Sequence, residues 1–293
     1  MSPKTILVFG EQGQVARELA NLAPRSDFGF EFAGRARCDL ISNDPAALIR
    51  GSGAVGVINA SAYTAVDKAE SEPDLAFRLN RDAVGAMARA CAEAGLPFVH
   101  FSTDYVFDGR KASPYVETDP RGPLGLYGRS KAEGEDAVAA AGGAWTVFRT
   151  AWVVSAHGAN FIKTMRRLAG ERDEVAVVDD QHGRPTWAAD AARVAVSAIE
   201  RHLAGDKAIQ GLFHLAGADD ATWADVAGAV FADQRARHGK VTRLKRITTA
   251  DYPTPAARPA NSRLDTARLQ AALDWRPRPW RQTVTACLDA LEG

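Results

Sequence analysis

The sequence predicts an α/β protein with a doubly wound parallel sheet and a smaller C-terminal lobe, and three observations carry that prediction. Short apolar runs of strand length recur at 5–10, 54–60, 97–102, 145–150 and 174–178, separated by helix-length segments. Alternation of this kind winds a parallel sheet with helices on both of its faces. A turn of small residues, Gly10, Gly13 and Ala16 spaced three apart, follows the first run and opens a helix. Beyond residue 150 the texture becomes irregular, as in "SAHGANFIKTMRRLAG", "DDQHGRPTWAAD" and the proline-spaced "YPTPAARPANSR".

Each element has a local reason. "TILVFG" (5–10), "AVGVINA" (54–60), "PFVHFS" (97–102), "WTVFRT" (145–150) and "EVAVV" (174–178) are continuous apolar runs, the pattern of strands buried on both faces. "NDPAALI" places Pro45 early in a helix, where its missing N–H has no partner to lose. The segment from Ser71 to Gly95 reads as a helix from a capping region to a terminating glycine. "LYGRSKAEGE" (126–135) opens another helix, with Tyr127 and Lys131 four apart on one face.

Composition limits the function classes. The 293 residues carry 36 Lys+Arg and 36 Asp+Glu, so no net field recruits nucleic acid or an anionic membrane, and an anionic ligand has to be held locally. Cys38, Cys91 and Cys287 are odd in number and lack metal-type spacing, which fits structural thiols in a reducing compartment. No segment is apolar for long enough to span a bilayer and no leader-like pattern opens the chain, so a cytoplasmic protein is expected.

The first turn is the strongest local signal. A glycine turn between strand and helix lets backbone N–H groups approach a pyrophosphate at the positive end of the helix dipole. Gly10, Gly13, Gln14 and Val15 are therefore candidate dinucleotide contacts, and Ala16 suffices where only helix–strand packing is at stake. Where the second strand should end, "FAGRARCDL" offers Arg35 instead of an acidic residue, a cation suited to a 2′-phosphate and so to NADPH, or else a solvated loop arginine. Asp39 and Leu40 follow at the expected adenine edge, and "NASAYT" (59–64) brings Ala62, Tyr63 and Thr64 past the cofactor. Residues 1–150 are expected to form the dinucleotide-binding domain, its sheet completed by parts of 174–215. Residues 151–293 are expected to be mainly a substrate-binding lobe interleaved with it.

On spacing alone, Tyr127 and Lys131 are either an acid with its supporting charge or two solvated side chains. The glycine turn, Thr103, Tyr127 and Lys131 together resemble an extended short-chain dehydrogenase/reductase, a Rossmann-like fold. "GEQGQVA", "NASAYTAVDKAESEP", "STDYVFDG", "YGRSKAEGE", "FRTAWV", "DDQHGRPTWA" and "YPTPAARPANSRL" cover nearly the whole chain in order. They closely resemble the dTDP-4-dehydrorhamnose reductase family within it.

That resemblance implies roles. Tyr127 would protonate the C4 carbonyl oxygen of a dTDP-4-keto sugar as hydride arrives. Lys131 would lower the phenol's pKa and hold the nicotinamide ribose, and Thr103 would hydrogen-bond the same oxygen. Val66, Thr103, Asp104 and Trp152 would meet the sugar nucleotide, with core packing the alternative for Trp152. Arg258 and Arg263 would take the diphosphate, with surface salt bridges the alternative for both. The implied coenzyme is NADPH, with NADH also tolerated. Some family members bind magnesium at a dimer contact through an acidic residue soon after their Pro-Thr pair; here Ala188 and Ala189 follow, and Glu18 either matches another such ligand or, as the preferred reading, is an exposed helix residue, so no metal is assigned. A monomer and a homodimer both remain open. Rival readings are another 4-keto-6-deoxy sugar nucleotide reductase or epimerase, and a non-catalytic NADP-binding regulatory subunit. Dehydratases of the superfamily carry a glutamate where Tyr105 stands, which favours reduction.

Overall fold

The computed structural model describes residues 4–292. The chain runs β1 (Lys4–Phe9), α1 (Gln14–Leu22), β2 (Phe28–Ala33), α2 (Pro45–Gly51), β3 (Gly56–Asn59), α3 (Val66–Ala69) and α4 (Pro73–Phe77). A π-helical turn at Arg78–Asp82 joins α4 to α5 (Ala83–Ala94), and β4 (Phe98–Thr103), α6 (Leu126–Ala141) and β5 (Trp145–Thr150) follow. Then come β6 (Val153–Val154), α7 (Phe161–Glu171), β7 (Glu174–Val178), β8 (His182–Gly183), β9 (Thr186–Trp187), α8 (Ala188–Leu203) and β10 (Gly211–Leu215). The chain closes with β11 (Ala221–Thr222), α9 (Trp223–His238), β12 (Arg243–Ile247), α10 (Ala267–Leu273) and α11 (Trp280–Glu292).

Six strands form one parallel sheet in the order β10-β5-β4-β3-β1-β2. Alternate residues of β1 point to opposite faces, and both faces are covered. Ile6 and Val8 pack with Ile58, Val99, Phe148 and Ile199. Leu7 and Phe9 pack with Val57, Val84, Met87, Phe98 and Val138. Helix α2 begins as its sequence suggests, with Asp44 accepting from the Ala46 amide and Pro45 in the first turn. Gly95 ends α5 with φ +67°, a conformation glycine reaches without strain.

One strand assignment is corrected. "EVAVV" does form β7, but it pairs in parallel with β12 in a separate two-stranded sheet. The sixth strand of the central sheet is β10, which pairs with β5. The reason lies in the side chains: Val175 and Val177 are buried but Ala176 between them is exposed, so β7 buries only one face, whereas a central strand buries both. A further apolar cluster beyond residue 150 gathers Val154, Ile162, Met165, Trp187, Val230, Trp280 and Leu288 from β6, β9, α7, α9 and α11.

Strand order reverses between β1 and β3, since β2 lies on one side of β1 and β3, β4 and β5 lie on the other. A crevice opens at the carboxyl ends of the strands at such a point, and that is where ligands enter folds of this type.

Candidate functional site

The crevice is occupied by a cavity of about 1140 Å³, lined from the turn after β1 to the start of the second lobe. Gly10, Gly13, Gln14, Val15, Arg35, Asp39, Leu40, Ala62, Thr64, Val66, Thr103, Asp104, Tyr127, Lys131 and Trp152 all line it. Residues scattered over most of the chain thus converge on one space. Tyr63, Arg258 and Arg263 are not among its lining residues.

At the first turn Gly10 has φ +102°, and a Cβ there would sit 3.1 Å from the carbonyl carbon and oxygen of Ala60. Gly13 is the N-cap of α1 and has no side chain to satisfy the first amides of the helix, which are left free to bind an anion. Gln14 ties this turn to the second lobe: its Nε2 donates to the Val153 carbonyl (3.1 Å) and its Oε1 accepts from Asn160 (3.0 Å). Arg35 is exposed on the cavity rim, and among the described residues no carboxylate pairs with it. Its neighbour Arg37 is bound to Glu31. Asp39 is partly engaged, its Oδ1 capping the Ile41 amide at 3.1 Å. The backbone, helix end and free arginine fit a phosphate-bearing dinucleotide.

Tyr127 stands in the first turn of α6 and Lys131 one turn on, as the spacing predicts. Thr103 ends β4, its hydroxyl donating to Asp104 Oδ1 (3.0 Å) and accepting from the Tyr105 amide (3.2 Å). Its side chain lines the same cavity as the Tyr127 phenol. The Tyr105 ring meets that of Tyr127 edge-on, with centroids 5.5 Å apart. Burial pushes the Tyr127 hydroxyl up to about 12, the Thr103 contact opposing. Lys131 Nζ donates to the Phe101 carbonyl (2.6 Å) and lies 3.1 Å from His100 Nε2, and burial pushes the lysine down to about 7.

On the substrate side, Asp104 is buried with Oδ2 lacking any partner, and burial pushes it up to about 6 despite the hydrogen bond that Oδ1 accepts from Thr103. Trp152 is half-buried with φ +49°, a backbone conformation that costs a bulky residue free energy. Its indole stacks on Trp223 at 3.6 Å and 13°, and Gly183 leaves room for it, since a Cβ there would strike the ring. Trp152 is therefore both packed and exposed to the cavity, and Trp223 and Phe161 line the cavity beside it.

Three residues lie elsewhere. Tyr63 is buried, donating its hydroxyl to Glu72 (2.7 Å), with its backbone N–H and C=O both held by Asn80. Arg258 pairs with Asp67 (2.8 Å), leaving Nη1 buried and unpartnered. Arg263 is committed to Asp220 (3.1 Å), Asn261 (2.8 Å) and the Ala112 carbonyl (2.5 Å). Glu18, read as exposed, is buried, because it sits under the second lobe beside His157. No group of metal-ligating side chains is found among the described residues.

Sequence reasoning passed over Trp223, Phe161, Asn59 and His100. A histidine in the middle of an otherwise apolar strand is a signal that a buried polar network lies there; nothing local marks Trp223.

A doubly wound sheet with a glycine turn at its switch point, and a Thr–Tyr–Lys set facing the same cavity, defines the extended short-chain dehydrogenase/reductase class. Within it, residues 4–292 match the family described as the RmlD substrate binding domain, and the chain belongs to that family. The dTDP-4-dehydrorhamnose reductase of Sinorhizobium fredii is 45% identical over 288 residues, covering 98% of this chain and 97% of that protein. That of Burkholderia thailandensis is 43% identical, with 97% of each chain covered. Among solved structures, a dTDP-4-dehydrorhamnose reductase from Clostridium acetobutylicum aligns with a TM-score of 0.91 at 32% identity, over 99% of this chain and 100% of that one. The Bacillus anthracis enzyme, crystallised with NADP, aligns with a TM-score of 0.90 at 27% identity, over 98% and 99%.

Proposed function

We propose that this chain reduces the C4 keto group of dTDP-4-dehydro-L-rhamnose with NADPH, giving dTDP-L-rhamnose. The observation that carries the reading is the convergence of Thr103, Tyr127 and Lys131 on the cavity that the Gly10–Gly13 turn also lines. Full-length relatives named for this reaction support it, as does the NADP-bound relative.

When bound, the nicotinamide supplies a hydride to C4. The chain's own residues do the rest. Gly10, Gly13 and the first amides of α1 hold the pyrophosphate, and Arg35 meets the 2′-phosphate. The Tyr127 hydroxyl passes its proton to the C4 oxygen, a transfer that a positioned acid accelerates. Thr103 stabilises the charge that develops on that oxygen. Val66, Asp104 and Trp152 contact the sugar nucleotide. For Arg263 a diphosphate contact competes with Asp220, whereas Arg258 pairs with Asp67 through Nη2 and keeps Nη1 unpartnered. In this reading residues 1–150 carry the cofactor, residues 151–293 mainly the substrate, and the protein is cytoplasmic, acting as monomer or homodimer. No helix of the described residues is long and apolar enough to cross a membrane.

The reading is tested by consumption of NADPH absorbance that depends strictly on the 4-keto sugar nucleotide. Consumption without the ketosugar, or none with it, counts against it. Two variants probe the parts. A guanidinium–phosphate contact is worth roughly 1.5–3 kcal/mol, about a tenfold to hundredfold preference. Arg35→Ala is therefore expected to lower kcat/KM for NADPH by about that factor and leave NADH nearly unchanged; equal coenzyme efficiencies that the substitution does not alter make Arg35 a solvated rim residue. Trp152→Ala is expected to weaken calorimetric binding of the sugar nucleotide more than that of NADPH. Equal loss of both, with a lowered Tm, assigns Trp152 to packing on Trp223 alone.

A further inference from the structure

Behind Lys131 lies a buried polar chain that the chemistry above does not use. Asn59 and His100 are paired across β3 and β4, and they are 1% and 0% exposed. The hydrogen bonds fix where each proton sits. The Ser61 backbone N–H, which can only donate, lies 3.0 Å from Asn59 Oδ1, so that atom is the amide oxygen. The Ser61 hydroxyl donates to the same oxygen at 2.6 Å. Asn59 Nδ2, a donor, therefore faces His100 Nδ1 at 3.1 Å, and Nδ1 must accept. A neutral imidazole then carries its proton on Nε2, which stands 3.1 Å from Lys131 Nζ. An ammonium offers three donors and no acceptor, so at this place it would set N–H against N–H. The contact is a hydrogen bond only when Nζ supplies a lone pair to His100 and donates to the Phe101 carbonyl at 2.6 Å.

We infer that His100 is a positioning residue that holds Lys131 as a neutral amine in the resting protein, and that uptake of a proton breaks this contact and frees Nζ toward the cavity. A second proton on His100 would oppose the Asn59 amide, and burial, then the lysine charge, holds the imidazole well below its ordinary range. The charged groups around Lys131 do not offset this. From α6, Glu135 raises the lysine's pKa, but its carboxylate is already bound by Arg149 of β5 at 2.7 Å, by Arg121 and by Ser102. Tyr127, also from α6, is a neutral phenol, and Asp104 beyond β4 accepts through Oδ1 from Thr103. The lysine thus changes charge near neutrality, and the Tyr127 phenol faces a full positive charge only after Lys131 has taken up its proton. That last consequence rests on the reductase reading; the protonation state does not.

The test is NMR of the whole protein with labelled histidine and lysine, which needs no turnover. In the natural protein His100 is expected to show the Nε2–H tautomer without titrating between about pH 5 and pH 9, either side of the ordinary histidine range. Lys131 is expected to titrate about three pH units below an ordinary lysine. Asn59→Asp places an acceptor opposite Nδ1, which reverses the tautomer and gives the ammonium an acceptor in Nε2. His100→Gln lets an amide oxygen turn to Nζ. Each is expected to raise the Lys131 midpoint by about one pH unit or more. An Nδ1–H tautomer or an imidazolium in the natural protein overturns the inference. So does a Lys131 midpoint near that of free lysine, or one that neither variant moves.

Discussion

Tyr127→Phe lowers turnover by about a hundredfold or more while leaving the fold and NADPH affinity nearly unchanged. Removing a positioned general acid typically costs roughly two to four orders of magnitude. Only one oxygen is deleted, and the ring keeps its edge contact with Tyr105. The phenol is pushed up to about 12 by burial, so it is protonated across the neutral range and supplies a proton without a preceding ionisation step. It lines the cavity together with Thr103, the last residue of β4. Circular dichroism, coenzyme binding and steady-state rates on the same sample separate the outcomes. Near-normal turnover removes Tyr127 from the role of acid, and loss of coenzyme binding makes its role structural.

Lys131→Met changes stability in a pH-dependent way. The lysine is 2% exposed and its pKa is pushed down to about 7 by burial, Glu135 opposing. In the unfolded chain it titrates near an ordinary value of about 10.4. Between these two values the unfolded state binds more protons than the folded one, so this lysine makes stability rise with pH. Below about pH 7 both states are protonated and the full penalty is present. A tenfold difference in proton affinity is worth about 1.4 kcal/mol, so the upper bound on the change is about 5 kcal/mol, less after local relaxation. The methionine variant lacks the dependence and also loses the bonds to Phe101 and His100, a loss that offsets its gain by a constant amount. Its stability relative to the natural protein is therefore highest at about pH 6 and falls by a few kcal/mol by about pH 10. Denaturant midpoints at several pH values measure this. A difference that does not vary with pH contradicts the depressed lysine.

Much of the fold is legible because buried parallel strands are continuous apolar runs, and five of the six central strands follow a recognisable run or its expected end. The sixth is not, because "GLFHL" carries His214 and follows a polar loop, while "EVAVV" imitates a sheet strand until the exposure of Ala176 is known. The glycine turn and the Tyr127–Lys131 pair are legible because their chemistry depends on short spacings. Trp223 is not, because its stacking on Trp152 is set by how α9 docks on the second lobe. The ion pairs of the arginines are hidden from the sequence for a related reason. Arg258 and Arg263 have the right chemistry for a diphosphate, but Asp67 and Asp220, distant in sequence, already occupy them. Lys131 shows the same limit: four-apart spacing puts it on the face of Tyr127, yet its hydrogen bonds run to β4 behind it.

The central claim is stereospecific reduction at C4, and product analysis tests it most directly. The purified protein is supplied with NADPH and enzymatically made dTDP-4-dehydro-L-rhamnose, and the configuration at C4 of the product is assigned by NMR. The expected result is dTDP-L-rhamnose formed one-for-one with NADPH oxidised, and no product from Tyr127→Phe on the same timescale. A C4 epimer of that sugar, or unreduced ketosugar recovered beside unoxidised NADPH, would contradict it.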